Sequence, residues 1–324
     1  MRYTAFGALL GGSLLLVSCG GSEPETQPGE EAETAMTETG EQAGTDAMPE
    51  TAAEPDYSDL SAVLDGDWRG DAAERDAWRH PQETLEFLGV DPSSTIVEIW
   101  PGGGWYSDIL GPWIAANNGT YLPAHFPADA ASDYQQRSRT AFETKIADNP
   151  LYGDVTIVDF DAEGGLTVED GSVDAVLTFR NVHNWMSNGF AERAFAEFND
   201  ALRPGGILGV VEHRLPSSRQ QDPMASSGYV QEGYVIAMAE EAGFELVDTS
   251  EINANPADTA DHPFGVWTLP PVRRSPGEGE EGYEGFDRAA FDAIGESDRM
   301  TLLFRKPAAS DEADMADGEE DGTE

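Results

Sequence analysis

Between residues 95 and 305, short runs of β-branched and apolar residues alternate with helical stretches. No other feature of the chain constrains its fold as tightly. The runs are TIVEIW at 95–100, a weaker one at 121–124, VTIVDF at 155–160 and VDAVLTF at 173–179. ILGVVE at 207–212 follows, then 244–250 and 300–305. Helical patterning fills 72–88, restarted at Pro81, and 105–114, stopped near Asn117-Asn118-Gly119. It returns at 130–147, at 191–202 before Arg203-Pro204-Gly205-Gly206, and at 231–242 before Gly243. Strands separated by helices predict a mostly parallel sheet with helices on both faces and right-handed crossovers.

Charge narrows the function classes. The net charge is -44, from 18 Lys+Arg against 62 Asp+Glu. Nucleic-acid affinity is built on cation–phosphate contacts, so DNA and RNA are not expected partners. The ends are the most acidic parts. Residues 20–59 carry 12 acidic and no basic side chains, and 307–324 carry 8 and none. With almost no large apolar group, 19–57 and 307–324 are expected to be a disordered tether and tail around a domain at 58–306. A loose insertion is expected at about 253–298, which is long for a connection.

The chain has one cysteine, Cys19, so it has neither an intrachain disulfide nor a Cys-based zinc site. It follows an apolar run at 5–17, too short and glycine-rich for a comfortable membrane span. Leu16-Val17-Ser18-Cys19-Gly20 resembles the lipobox of bacterial lipoproteins. That resemblance implies a signal peptide at 1–18 and a lipid anchor on Cys19. It also implies a place in the cell envelope facing the periplasm, with the outer membrane favoured over the inner by Gly20.

In a parallel sheet, ligands bind beyond the carboxyl ends of the strands. After 95–100 comes Pro101-Gly102-Gly103-Gly104, where missing Cβ atoms permit a sharp turn and close approach to a ligand. A dinucleotide fingerprint is absent, because Ser107 stands where the third glycine belongs. No G-x-S-x-G pentapeptide marks a hydrolase.

The strings that matter are Arg79-His80-Pro81-Gln82-Glu83-Thr84-Leu85, Val97-Glu98-Ile99-Trp100-Pro101-Gly102-Gly103-Gly104-Trp105-Tyr106 and Arg180-Asn181-Val182-His183-Asn184-Trp185. With them stand Leu202-Arg203-Pro204-Gly205-Gly206, Val211-Glu212-His213-Arg214, Glu241-Ala242-Gly243-Phe244 and Phe304-Arg305-Lys306-Pro307. Together they resemble class I S-adenosylmethionine-dependent methyltransferases, and more narrowly a bacterial group of exported predicted methyltransferases. The resemblance implies a three-layer Rossmann-like α/β fold, with a seven-stranded sheet whose last strand is antiparallel. It implies S-adenosyl-L-methionine as cofactor and a small-molecule acceptor.

Roles carry over by position. Glu98 matches the acid near the cofactor's amino-acid end. Gly102, Gly103 and Gly104 match the loop beneath the methionine and ribose. Asp161 matches the acid that accepts from the adenine amine. Trp100 stands where the class has its first loop glycine, and His125 where it has the acid holding the ribose hydroxyls. Tyr106, Trp105 and Trp185 are candidate pocket walls. Arg180 and Asn181 are candidates for orienting substrate or the cofactor carboxylate.

A sulfonium methyl is already activated, so the protein mainly aligns the acceptor and excludes water. A base is needed where the acceptor arrives protonated, and His183 and His213, after two successive strands, are the candidates. Arg79 and His80 fall on an N-terminal helix that in this class covers the pocket, and His262 falls on a candidate lid. No metal site is expected, as the histidines are scattered and H-E-x-x-H is absent. The other reading of the same residues is a non-catalytic envelope lipoprotein that keeps the fold and binds some other ligand.

Overall fold

The computed structural model describes residues 55–308. The expected signal peptide, Cys19, and nearly all of the acidic tether and tail lie outside the described residues. Among the described residues no helix is long and apolar enough to cross a membrane.

The domain opens with α1 (Leu60–Leu64), a 3-10 stretch (Asp67–Arg75), α2 (Asp76–Arg79) and α3 (Pro81–Phe87). The restart at Pro81 is present: His80 is left-handed at φ 41°, and Pro81 opens the next helix. Proline fits there because the first helical N–H has no intrahelical partner to lose. Then follow β1 (Thr95–Ile99), α4 (Ser107–Ala116), β2 (Thr120–His125), α5 (Asp133–Asp148), β3 (Val158–Asp161) and β4 (Gly165–Leu166). The second half holds β5 (Val173–Phe179), α6 (Val182–Ser187), α7 (Ala191–Ala201), β6 (Leu202–His213), α8 (Glu232–Glu241), β7 (Glu245–Ser250), α9 (Arg288–Ile294) and β8 (Arg299–Arg305).

These strands form one eight-stranded sheet in the order β4-β3-β2-β1-β5-β6-β8-β7. β3, β2, β1, β5 and β6 run parallel, and β8 is antiparallel to both its neighbours. The expected count of seven is therefore short by one. The extra strand, β4, is a two-residue antiparallel pairing with β3, too short to leave a periodic signal. Two boundaries also differ. β3 begins at Val158, where its ladder with β2 starts at the Ala124–Val158 pair. β6 begins at Leu202, because its Arg-Pro-Gly-Gly segment passes through a register shift against β5 and rejoins the ladder.

Alternation along the strands divides the core. Val97, Val176, Leu208 and Val210 face Trp185, Phe195, Phe198 and Val235 from α6, α7 and α8. Ile96, Ala175, Leu177 and Val211 face Leu60, Leu85, Ile109 and Leu110 from α1, α3 and α4. The chain runs outward from β1 through β4 and then returns to the other side of β1 to form β5. A crevice for ligands therefore opens past Ile99 and Phe179, at the point where the winding reverses.

The segment expected as a loose insertion contributes buried groups at Asn253, Asn255, Asp258, His262, Glu296 and Ser297. Asn253 Nδ2 donates to Thr84 Oγ1 and Thr301 Oγ1, both at 2.9 Å, tying it to α3 and β8.

Candidate active site

A cavity of about 580 Å³ lies past the ends of β1, β5 and β6, and a hollow of about 340 Å³ lies beside it. Trp100, Gly102, Tyr134 and Asn181 line both. The N-terminal helices supply Ala72, Arg75 and Arg79 to the larger one, and the insertion supplies Trp267, Pro270 and Glu296.

Two non-glycine residues take left-handed backbone where the strands end: Trp100 at φ 44° and Arg180 at φ 64°. Such strain persists only where surrounding contacts enforce it. For Trp100 the contacts are plain. Its indole packs against Phe126, Phe160, Trp185 and Phe190, and Nε1 donates to the Phe160 carbonyl at 2.9 Å. Trp100 thus forms a wall between the two spaces, replacing the loop glycine without closing either. In the turn that follows, Gly102 has φ 60°, and a Cβ on Gly102 or Gly103 would meet nothing. Gly104, at φ 78°, would set a Cβ 2.8 Å from Lys145 Cε. The open side of the turn faces the cavity, which Gly102 and Gly103 line.

Glu98 is buried beneath that turn. Its Oε2 accepts from Tyr121 OH at 2.5 Å and Ser107 Oγ at 2.8 Å. Oε1 has no hydrogen-bond partner among the described residues. Burial pushes this carboxyl up to about 7 against those two hydrogen bonds. Tyr106 stacks on Phe179 with ring centroids 3.5 Å apart, and its burial pushes the phenol up to about 12. Trp105 also lines the cavity. Trp185 does not; it is fully buried in the core.

Asn181 is spent on structure: its Nδ2 donates to the Ile99 carbonyl at 2.8 Å, tying the end of β5 to the end of β1. His125 lines the smaller hollow. Its Nδ1 accepts the Phe126 N–H at 2.8 Å, and Nε2 is buried with no partner. Burial, helped by Arg139, pushes the imidazole down to about 4, so the ring is neutral and Nε2 carries the hydrogen. The expected acceptor at this position is therefore a donor. Asp161 departs further. Its Oδ1 accepts from the Glu163 and Gly164 amides at 2.9 and 2.6 Å, holding the turn into β4. It lines neither space, because a short Asp-x-x-Gly turn claims the carboxylate locally.

His183 and His213 come together in the larger cavity, ring centroids 5.4 Å apart. Between them is Glu212, fully buried, which the sequence reading did not single out. Its Oε1 lies 3.0 Å from His183 Nδ1 and accepts the His213 amide at 2.7 Å. Its Oε2 accepts the His183 amide at 3.3 Å. A carboxylate on Nδ1 fixes the hydrogen there and leaves His183 Nε2 as a base. His213 Nδ1 lies 2.5 Å from Ser297 Oγ, and burial, then the charges of His183 and Arg180, hold this imidazole well below its usual range. Nothing in the string Val211-Glu212-His213 marks Glu212 as the partner of His183. The pairing arises from β6 lying beside β5.

His183, Glu212 and His213 each offer a ligand atom within 4.8 Å of the others, the one such trio among the described residues. Glu212's oxygens already serve two amides and an imidazole, and Arg180 and Arg299 place positive charge beside His213. Both facts work against a cation. His80 lines neither space. His262 is pinned by Asp258 Oδ1 at 2.7 Å and also lines neither.

Residues 120–210, from β2 into β6, match a family model described as a methyltransferase domain. No curated protein matches the chain. Among solved structures it is similar to an S-adenosylmethionine-dependent methyltransferase from Aquifex aeolicus, at 16% identity over 60% of this chain and 93% of that one, TM-score 0.45. It is similar to the cyclase SpnF at 18% identity over 77% and 92%, TM-score 0.48. It is also similar to a methyltransferase from Methanosarcina mazei at 12% identity over 69% and 98%, TM-score 0.44. The strand order gives the chain a mostly parallel, Rossmann-like α/β fold, and its central segment matches a methyltransferase domain.

Proposed function

We propose that this chain transfers a methyl group from S-adenosyl-L-methionine to a small acceptor. One observation carries the reading: two neighbouring hollows past β1 share Gly102 of the glycine turn in their linings, and Glu98 and His183 line the larger one. His125 and Tyr134, which line the smaller hollow, would hold the nucleoside end of the cofactor, and Glu98 would hold its amino-acid end. The residues present fit such a group at the turn, where Cβ positions are open and Glu98 Oε1 is unengaged. When bound, the cofactor supplies a methyl carbon already activated by a sulfonium.

The protein's own residues do the rest. Glu98 accepts from an ammonium group, and Gly102 and Gly103 let backbone approach the ligand. Tyr106, Trp105 and Phe179 exclude water from the cavity. Glu212 fixes the His183 ring, and His183 Nε2 takes the acceptor's proton as the new bond forms. Calorimetry with S-adenosylhomocysteine tests the reading. Binding in the micromolar range is expected, and silence at millimolar ligand overturns it.

A second reading has an observation in its favour. His125 offers a donor where an acceptor belongs, and Asp161 is turned into a β-turn. Both suit a ligand-binding envelope protein that no longer holds the nucleoside. The same titration separates the two.

The envelope location rests on the sequence at Cys19. Replacing Cys19 by Ser is expected to move the protein from the membrane pellet to the soluble fraction. Continued sedimentation without detergent removes the anchor from the account.

A further inference from the structure

Four guanidinium groups converge on one carboxylate at the edge of the larger cavity. Arg75 Nε lies 2.6 Å from Glu296 Oε1. Arg79 Nε lies 3.0 Å, Arg299 Nη1 3.1 Å and Arg180 Nη1 3.9 Å from Oε2. Arg75, Arg79, Arg180 and Glu296 all line the cavity. In a chain carrying -44, with 62 acids available to pair 18 bases, this excess of positive charge runs against composition.

The second observation is that these donors are unspent. Arg79 Nη1 and Arg75 Nη2 are buried without a hydrogen-bond partner. Arg180 makes no side-chain hydrogen bond among the described residues; its nearest anion is the 3.9 Å pair with Glu296. Arg299, by contrast, is used up on Glu296, the Ser297 carbonyl and the Trp78 carbonyl. Arg79 is 1% exposed and its guanidinium lies 4.5 Å from the Trp105 ring centroid, which fixes its plane. Burial, then Arg299, pulls Arg180 down to about 10, the response of a cation short of counter-charge. Its left-handed backbone is a further cost of placing it there. Buried donors without acceptors are expensive, and a planar fork of N–H groups matches the oxygens of a carboxylate or phosphate.

The methyl donor does not meet this need. Its own ammonium balances its carboxylate, and its sulfonium adds a further positive charge to the cavity. We propose that the cavity holds the acceptor by an acid group, carboxylate or phosphate, on Arg75, Arg79 and Arg180. The word acceptor rests on the methyl-transfer reading; the anion site does not.

The test is calorimetry of the full-length protein with inorganic phosphate, with and without saturating S-adenosylhomocysteine. Phosphate is expected to bind in both arms. Arg180→Gln and, separately, Arg75→Gln should weaken it at least tenfold, with Arg180→Lys intermediate. Affinity of the Arg75→Gln protein for S-adenosylhomocysteine should stay within about threefold. Phosphate that binds only in the absence of S-adenosylhomocysteine overturns the proposal, because the guanidiniums then hold the donor's carboxylate. No phosphate binding by protein that does bind S-adenosylhomocysteine overturns it equally. Phosphate binding with the same arginine dependence, in protein that ignores S-adenosylhomocysteine, upholds the anion site and removes the methyl-transfer reading.

Discussion

Affinity for S-adenosylhomocysteine is expected to rise about tenfold per pH unit up to about pH 7 and to level off above it. The cause is Glu98. Burial holds its carboxyl up at about 7 against an ordinary 4.5, so below neutrality the free protein keeps it neutral. An ammonium group wants the ionised form, so binding below pH 7 must expel one proton. Glu98→Gln should flatten the profile and weaken binding by roughly one to two orders of magnitude, the loss of a charge-assisted bond. The same group acts on stability in the opposite direction. The unfolded chain releases this proton near 4.5 and the folded one only near 7. Stability from this site is thus full below 4.5 and is lost progressively as pH rises to 7. Each pH unit between the two values is worth about 1.4 kcal/mol, so the loss is on the order of 3 kcal/mol. Glu98→Gln should therefore melt higher than the wild type at about pH 8 while binding its ligand less well. An affinity that stays flat between about pH 5.5 and 8 removes Glu98 from the site.

His183→Ala is expected to lower the transfer rate by about 10²–10⁴-fold, with ligand affinity changed only a few-fold. Rate and affinity should separate because the proposed role of His183 Nε2 is toward the acceptor's proton, not the donor. Glu212→Gln tests the arrangement behind it. Glu212 is fully buried, and its oxygens rest on two backbone amides and the His183 ring. A glutamine places its oxygen at the Oε1 position, where the His213 amide and the His183 ring both donate, and so keeps the ring in place but removes the negative charge that supports a protonated His183. The rate should therefore fall, though less far than in His183→Ala. Release of S-adenosylhomocysteine in envelope extract reads the rate, and ¹⁵N NMR of the imidazole reads the tautomer. A Glu212→Gln protein that keeps the tautomer, as expected, but also keeps the full rate would show that the pair is structural only.

The sheet was legible because periodicity is local. VDAVLTF at 173–179 became β5 without a residue's change, and Pro81 restarted a helix, since both depend on near neighbours. The two-residue β4 left no pattern to find. The β6 start was obscured by Arg-Pro-Gly-Gly, which reads as a helix stop and also builds a register shift in a strand.

The candidate site divides along the same line. Glu98, the glycine turn, His183 and His213 were readable, because a strand followed at once by a sharp turn fixes which residues reach the sheet's carboxyl edge. Three matters were decided only in three dimensions. Glu212 meets His183 because two parallel strands lie side by side in a given register. Arg75, Arg79, Arg180 and Arg299 meet Glu296 because the N-terminal helices and the insertion fold over the same edge. His125 became a donor and Asp161 a turn cap because a nearby backbone N–H took the lone pair that a ligand would need. Chain order specifies the repeat of burial along each element. It does not specify which distant charge a buried group will face, since that energy exists only once the elements have packed and water has left.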